Sequence, residues 1–191
     1  MSLLDLIAAA DERGLVASGI ACLDRCLPQP GEGADPDPLR PLWAGCAGGE
    51  AWPDRLAQAR QALDGAEEAQ TQTQTRIRQL LAHAPADRAA PGLREWADAC
   101  SLLALEVHLG QDATPGARVD LLRRCREGDP AGAGPLVAGE VRRQIRILEM
   151  LADSGTGAAG LRQVRDASAE GQRVLRAATA RRARGRGPGG E

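Results

Sequence analysis

The sequence predicts an all-α protein that folds as a bundle of five or six helices. Apolar residues recur at steps of three and four in most segments between the prolines and glycines, which is the period of an amphipathic helix. No segment shows β-branched residues in the period-two pattern of a strand. Short Pro/Gly connections between helices of this length are typical of a bundle, although they leave a short α-solenoid open. We therefore expect a single helical domain over residues 1–180.

The first predicted helix starts after Ser2, a good N-cap residue, and ends near Leu27. Its apolar positions are Leu3, Leu6, Ile7, Ala10, Leu15, Ile20, Leu23 and Leu27. Pro28 and Pro30 then stop the helix, and residues 28–50 carry five prolines and five glycines. We expect an irregular loop there, anchored by Trp43.

The second predicted helix runs over residues 52–83 and carries a seam like that of a coiled coil. The seam residues follow a seven-residue spacing in two complementary rows, and its members include Leu56, Leu63, Gln70, Thr73, Ile77 and Leu80. One helix cannot bury such a seam alone, so it predicts partner helices from this chain, another copy or another protein. Its polar centre around Gln70 is either a layer that sets the register or an exposed stretch.

Four further helices are predicted from proline and glycine punctuation. The third runs from Pro91 to Leu109, and the fourth follows an N-cap at Thr114-Pro115 and ends near Arg126. The fifth covers residues 135–152. The sixth begins near Ala158 and ends before a disordered Arg/Gly tail over residues 181–191.

The composition excludes several kinds of chemistry. The chain has no Lys, Asn, Phe or Tyr, and all 24 of its basic residues are Arg. Without Lys there is no Schiff-base nucleophile and no P-loop lysine. The absent residue types share AT-rich codons, so we interpret the composition as coding pressure in a GC-rich, bacterial genome.

The sequence also bears on the cellular location. No run approaches the roughly 18 apolar residues of a membrane span. The first residues carry Asp5, Asp11 and Glu12 without a basic stretch, unlike a secretory signal. Five cysteines, an odd number, indicate reduced thiols. We expect a cytoplasmic protein without contact to membranes.

Two motifs are better explained without a ligand. Residues 155–160 match the dinucleotide-binding pattern G-x-G-x-x-G, but a helix rather than a strand precedes them, so we expect a helix–helix linker and no cofactor. Cys22 and Cys26 lie four apart on one helix and, with Cys46 and a histidine, are an alternative zinc site. The favoured interpretation is core packing, because cysteine is a common small core residue.

Arg78 and His83 give the sequence its candidate catalytic pair. The six residues from Arg78 to His83 have the R-x4-H spacing and thereby resemble the HEPN ribonucleases, which are helical bundles that usually act as dimers. The resemblance implies metal-independent RNA cleavage, with His83 moving a proton and Arg78 neutralising phosphate charge. The alternative is a surface arginine and a histidine that interacts favourably with the end of its helix.

The last twenty residues hold six Arg and one acidic residue. Phosphate contacts are predicted as weak and nonspecific, through Arg181, Arg182, Arg184 and Arg186. The leading functional hypothesis is a non-catalytic protein–protein interaction module: an adaptor, regulator or accessory subunit that binds another protein or itself. The alternative is a HEPN-like bundle that cleaves or binds RNA.

Overall fold

The fold is all-helical. A computed structural model describes residues 1–27, 37–46, 51–64, 71–89, 91–112, 118–154 and 157–185, and no strand occurs in these ranges. They contain nine helices, which is more than the five or six that were predicted. In chain order these are α1 (Leu3–Ala9), α2 (Glu12–Cys26), α3 (Arg40–Gly45), α4 (Trp52–Asp64), α5 (Gln72–His83), α6 (Gly92–Gln111), α7 (Arg118–Glu127), α8 (Pro135–Ser154) and α9 (Ala158–Gly185).

The predicted first helix is in fact two helices. Ser2 caps α1 as expected, through a capping box with Asp5. The chain then becomes extended at Ala10 and Asp11, and the Asp11 carboxylate accepts a hydrogen bond of 2.7 Å from the backbone N–H of Gly14. Asp prefers such a cap to a helix interior, so the apolar period continues across a break in the backbone.

The prediction of one helix over residues 52–83 is also wrong. Thr71 has an extended backbone and caps α5 through a capping box with Gln74, so α4 and α5 are separate helices that pack against each other. The Arg60 side chain joins them, because its Nε donates to the carbonyl of Leu81 at 2.9 Å. Gln70, at the centre of the predicted seam, lies outside the described residues.

Part of the predicted loop 28–50 is helical. The short helix α3 lies within it, and the Trp43 side chain is buried as expected of an anchor. The Arg165 guanidinium of α9 lies 5.9 Å from the Trp43 ring centroid, which ties α3 to the far end of the chain. Residues 28–36 and 47–50 lie outside the described residues.

The centre of the bundle is the packing of α2 against α6. A Cβ atom at Gly19 would come within 2.6 Å of the Trp96 ring, so only glycine allows this approach. The Trp96 indole donates a hydrogen bond of 3.0 Å to the carbonyl of Leu80 and meets the Trp52 ring edge-on, with 6.3 Å between ring centroids. Trp96 therefore joins α2, α4, α5 and α6 at one point.

The second half of the chain closes the bundle with α8 and α9. Asp112, just after α6, accepts backbone hydrogen bonds from Leu136 and Val137 in the first turn of α8. Helix α9 continues to Gly185, so residues 181–185 are helical and the predicted disordered tail is wrong over that range. Residues 186–191 and the predicted cap at Thr114-Pro115 lie outside the described residues.

Candidate functional site

A groove of about 640 Å³ lies between α5, α6 and α7. We call it the α5–α7 groove. Its apolar lining residues are Leu4, Leu102, Val107, Leu109 and Leu122; its polar and charged ones are Gln72, Thr73, Arg76, Glu106, Gln111, Arg123 and Arg126, with Gly110 between them. Because Leu102 and Val107 are only partly buried, the groove keeps apolar surface open to a ligand.

The lining of the α5–α7 groove holds three Arg and one Glu, and each Arg has a carboxylate partner: Glu106 for Arg76, Glu127 for Arg123 and Asp98 for Arg126. Arg76 pairs with Glu106, yet the two side chains remain 42% and 36% exposed. Arg123 is 57% exposed and pairs with Glu127 at 2.9 Å. Exposed ion pairs of this kind contribute little stability, so their guanidinium groups remain available to an incoming carboxylate.

The start of α5 adds positive potential to the same rim. Gln72 and Thr73 are the first two residues of this 12-residue helix, and its first turn contains no acidic residue. The N-terminal end of a helix carries partial positive charge. The opposite partial charge at the end of α6 is met by Arg182, whose guanidinium donates to the carbonyl of Gly110. The start of α5 thus favours an anionic ligand, and Arg182 offsets the negative partial charge at the end of α6.

Behind the groove, a buried polar network fixes α6 relative to α2 and α8. The Arg25 and Glu140 side chains are fully buried and form an ion pair, with 2.6 Å between Nη2 and Oε1. Gln144 donates to the same carboxylate at 2.9 Å, and Arg143 donates to it at 3.0 Å. Ser101 completes the network by donating to the Gln144 amide oxygen at 2.6 Å. Paired and hydrogen-bonded in this way, the buried charges hold three helices in register.

The same network shifts the pKa values of two members. Burial alone raises the pKa of Glu140, but the charges of Arg25 and His108 and the hydrogen bonds outweigh it and lower this pKa to about 2. Burial lowers the pKa of His108, with Glu140 opposing the shift. The His108 Nδ1 must be the donor to the Ala104 carbonyl at 2.7 Å, so Nε2 is the nitrogen that faces Glu140 at 3.5 Å.

These shifts predict that acidification destabilises the fold. The pKa of His108 is lower in the folded protein than in the unfolded chain. As pH falls through about 6.5, His108 therefore takes up its proton in the unfolded chain before it does so in the folded protein, which favours unfolding. The stabilisation from Glu140 is full above about 4.5 and is lost as pH falls towards 2. Urea unfolding at pH 7.5, 6.5 and 5.5 is expected to show falling stability, with a smaller slope in His108→Asn. An unchanged slope in His108→Asn, or an equally reduced slope in the exposed control His83→Asn, would contradict the assignment.

Arg78 and His83 both lie on α5 but interact with different parts of the chain. The Arg78 guanidinium donates to the carbonyl of Leu63 and lies 3.9 Å from the Asp64 carboxylate, so it interacts with the C-terminal end of α4. His83 is exposed at the end of α5, and its Nδ1 lies 2.7 Å from the carbonyl oxygen of Gln79, one turn earlier in the same helix. Five helical positions correspond to a rotation of about 140°, so these side chains leave the helix in different directions.

The three candidate zinc ligands lie in the core. Cys22, Cys26 and Cys46 are all buried as free thiols. Burial raises the pKa of Cys22 to about 11 and that of Cys46 to about 12, which disfavours the thiolate form that binds metal. Within the described ranges, no group of three or more His, Cys, Asp or Glu side chains is arranged to hold a metal ion.

The predicted seam and the α5–α7 groove overlap at one residue, Thr73. The apolar seam residues Leu56, Leu63 and Ile77 are buried within this chain, and Leu80 packs against the same core. Sequence patterns therefore missed the groove, whose lining comes from α1, α5, α6 and α7 and has no local signature. The available signal was the apolar character of α6 at Leu102 and Val107, two side chains that the core buries only in part.

The candidate phosphate-contacting arginines do not act as one group. Arg181 and Arg184 are exposed on α9, whereas Arg182 is half-buried and caps α6. Arg186 lies outside the described residues. None of the helices that the structure describes is long and apolar enough to span a membrane.

Comparison with known proteins gives no match to a protein-family model, a curated protein or a solved structure.

Proposed function

We propose that this chain is a non-catalytic interaction module that binds a segment of another protein in the α5–α7 groove. The observation that carries this proposal is the combination of an open apolar floor and an arginine-rich rim in one cavity of about 640 Å³. A cavity of this size takes a few side chains of a docked helix, which is the usual arrangement when an amphipathic helix binds a groove.

The charges of the groove select the chemistry of the partner. Arg76 and Arg123 belong to exposed ion pairs, whose carboxylates can be replaced by those of an incoming ligand. The N-terminal end of α5, whose first turn contains no acidic residue, points to the same sign of ligand. The partner segment is therefore an acidic amphipathic helix, with apolar side chains on the leucine floor and Asp or Glu side chains at the rim.

The buried polar cluster and the predicted catalytic arginine, Arg78, both make contacts between helices. The cluster of Arg25, His108 and Glu140 is enclosed between α2, α6 and α8, where it connects helices. Arg78 is engaged by the end of α4, so the arrangement lends no support to the cleavage chemistry that the HEPN resemblance implies. A rigid helical frame with an open groove is suited to recognition.

The proposal is tested with two helical peptides of about 14 residues that share leucines at positions i, i+3, i+4 and i+7. One carries Glu and the other Lys at the flanking positions. Fluorescence anisotropy at low salt is expected to show about tenfold tighter binding of the Glu peptide, a difference of roughly 1.4 kcal/mol. Decanoate serves as a small carboxylate competitor for the same apolar floor.

Matched variants locate the binding. The double variant Arg76→Glu, Arg123→Glu is expected to lose the preference for the Glu peptide, and Leu102→Gln to weaken both peptides. The control Arg94→Glu, Arg146→Glu changes charge by the same amount at exposed positions outside the groove and is expected to bind like the wild type. The proposal fails if the control loses binding equally, if neither peptide binds, or if decanoate binds more tightly than the Glu peptide.

A further inference from the structure

The C-terminal half of α9 presents four arginines along one face. We call Arg173, Arg176, Arg181 and Arg184 the α9 arginine stripe; all four are exposed. At about 100° per residue, they lie within an arc of about 140° around the helix axis. Eleven residues separate the first from the last, so the stripe extends about 16 Å along the helix at 1.5 Å per residue.

The opposite face of the same segment is attached to the bundle. Leu175 and Ala178 are buried there, and Arg182, about 180° from Arg173, donates to the carbonyl of Gly110. This attachment fixes the rotation of α9 about its axis. The fold therefore holds the stripe facing solvent. The sequence had suggested instead that arginines in this region belong to a disordered tail.

The stripe has no acidic neighbour in its own segment of α9. Residues 171–185 contain no Asp or Glu, and the nearest acidic residue on α9 is Glu170. Within the described ranges, no ion pair involves any of the four stripe arginines. Four like charges held on one face repel one another, so a polyanion that neutralises them gains free energy.

We propose that the α9 arginine stripe binds the phosphodiester backbone of a nucleic acid without reading its bases. Guanidinium groups match phosphate oxygens through paired hydrogen bonds, and a row about 16 Å long suits a linear run of phosphates. A lipid surface fits less well, because the exposed apolar side chains beside the stripe are Val174, Ala177 and Ala183, which offer little area to insert among headgroups. This proposal is independent of the α5–α7 groove.

The test measures binding of the full chain to fluorescent single-stranded RNA 20-mers of two unrelated sequences, over a salt series from 50 to 200 mM. The two RNAs are expected to bind within about twofold of each other. Replacing all four stripe arginines with Gln is expected to weaken binding at least about tenfold at 50 mM salt. It is also expected to reduce the slope of log K against log salt by about 3, from four phosphate contacts at about 0.7 each.

The matched control replaces Arg13, Arg40, Arg94 and Arg146 with Gln, which removes the same charge from exposed positions off the stripe. Circular dichroism confirms that both variants stay helical, since Gln is a good helix former. The control is expected to keep the wild-type salt slope. The proposal is overturned if the control loses as much affinity, if the wild type does not bind RNA at 50 mM salt, or if phosphatidylserine vesicles bind the stripe more tightly than RNA.

Discussion

Replacing Glu140 with alanine is expected to lower the free energy of unfolding by about 3–5 kcal/mol. The reason is that Arg25, only 1% exposed, would lose the carboxylate that neutralises it and remain a buried, unpaired charge. Arg143 and Gln144 would lose the same acceptor. The measurement is urea unfolding at pH 7.5, followed by circular dichroism.

A double variant separates the ion pair from simple packing. Arg25→Met with Glu140→Leu removes both charges while keeping similar volume, so we expect it to recover most of the stability lost in Glu140→Ala. The exposed pair is the control, and Arg123→Gln with Glu127→Gln should change stability by less than about 1 kcal/mol. A loss below about 1 kcal/mol in Glu140→Ala, or no recovery in the double variant, would show that the network does not hold the helices in register.

Replacing Trp96 with alanine is expected to remove about 3–5 kcal/mol, the usual effect of deleting a large buried side chain. Trp96 is 4% exposed, fills the space that Gly19 leaves on α2, and contacts both Trp52 and the Leu80 carbonyl. Thermal unfolding followed by circular dichroism at 222 nm measures the loss through the fall in Tm.

The control for Trp96 is Val174→Ala, at a side chain that is 38% exposed. It is expected to change stability by no more than about 0.5 kcal/mol, as surface substitutions generally do. If Trp96→Ala were as mild as this control, the contact between α2 and α6 would not be the centre of the bundle.

Much of the helical content could be predicted from the sequence, because the apolar period is a local property. The boundaries of α6 and α8 were predicted to within two residues, since prolines and glycines mark them. The two missed breaks follow from caps, at Asp11 and at Thr71 with Gln74, which interrupt the backbone without interrupting the apolar spacing.

The sites were much harder to predict than the helices. Arg25 and Glu140 are 115 residues apart in the chain, and nothing local to either indicates that they meet. The α5–α7 groove likewise exists only after four helices have packed. The α9 arginine stripe was partly visible as an excess of Arg, but its orientation depends on Arg182 reaching Gly110, a contact across 72 residues.

The most direct test of the central claim, recognition through the α5–α7 groove, is made in cells that naturally produce the protein. Complexes of tagged wild type, of Arg76→Glu with Arg123→Glu, and of His83→Ala are recovered and compared by quantitative mass spectrometry. We expect a partner held by the wild type to be lost from the groove variant, retained by His83→Ala, and displaced by the Glu peptide. A partner that survives the groove variant, or an activity in these cells that disappears only in His83→Ala, would contradict the claim.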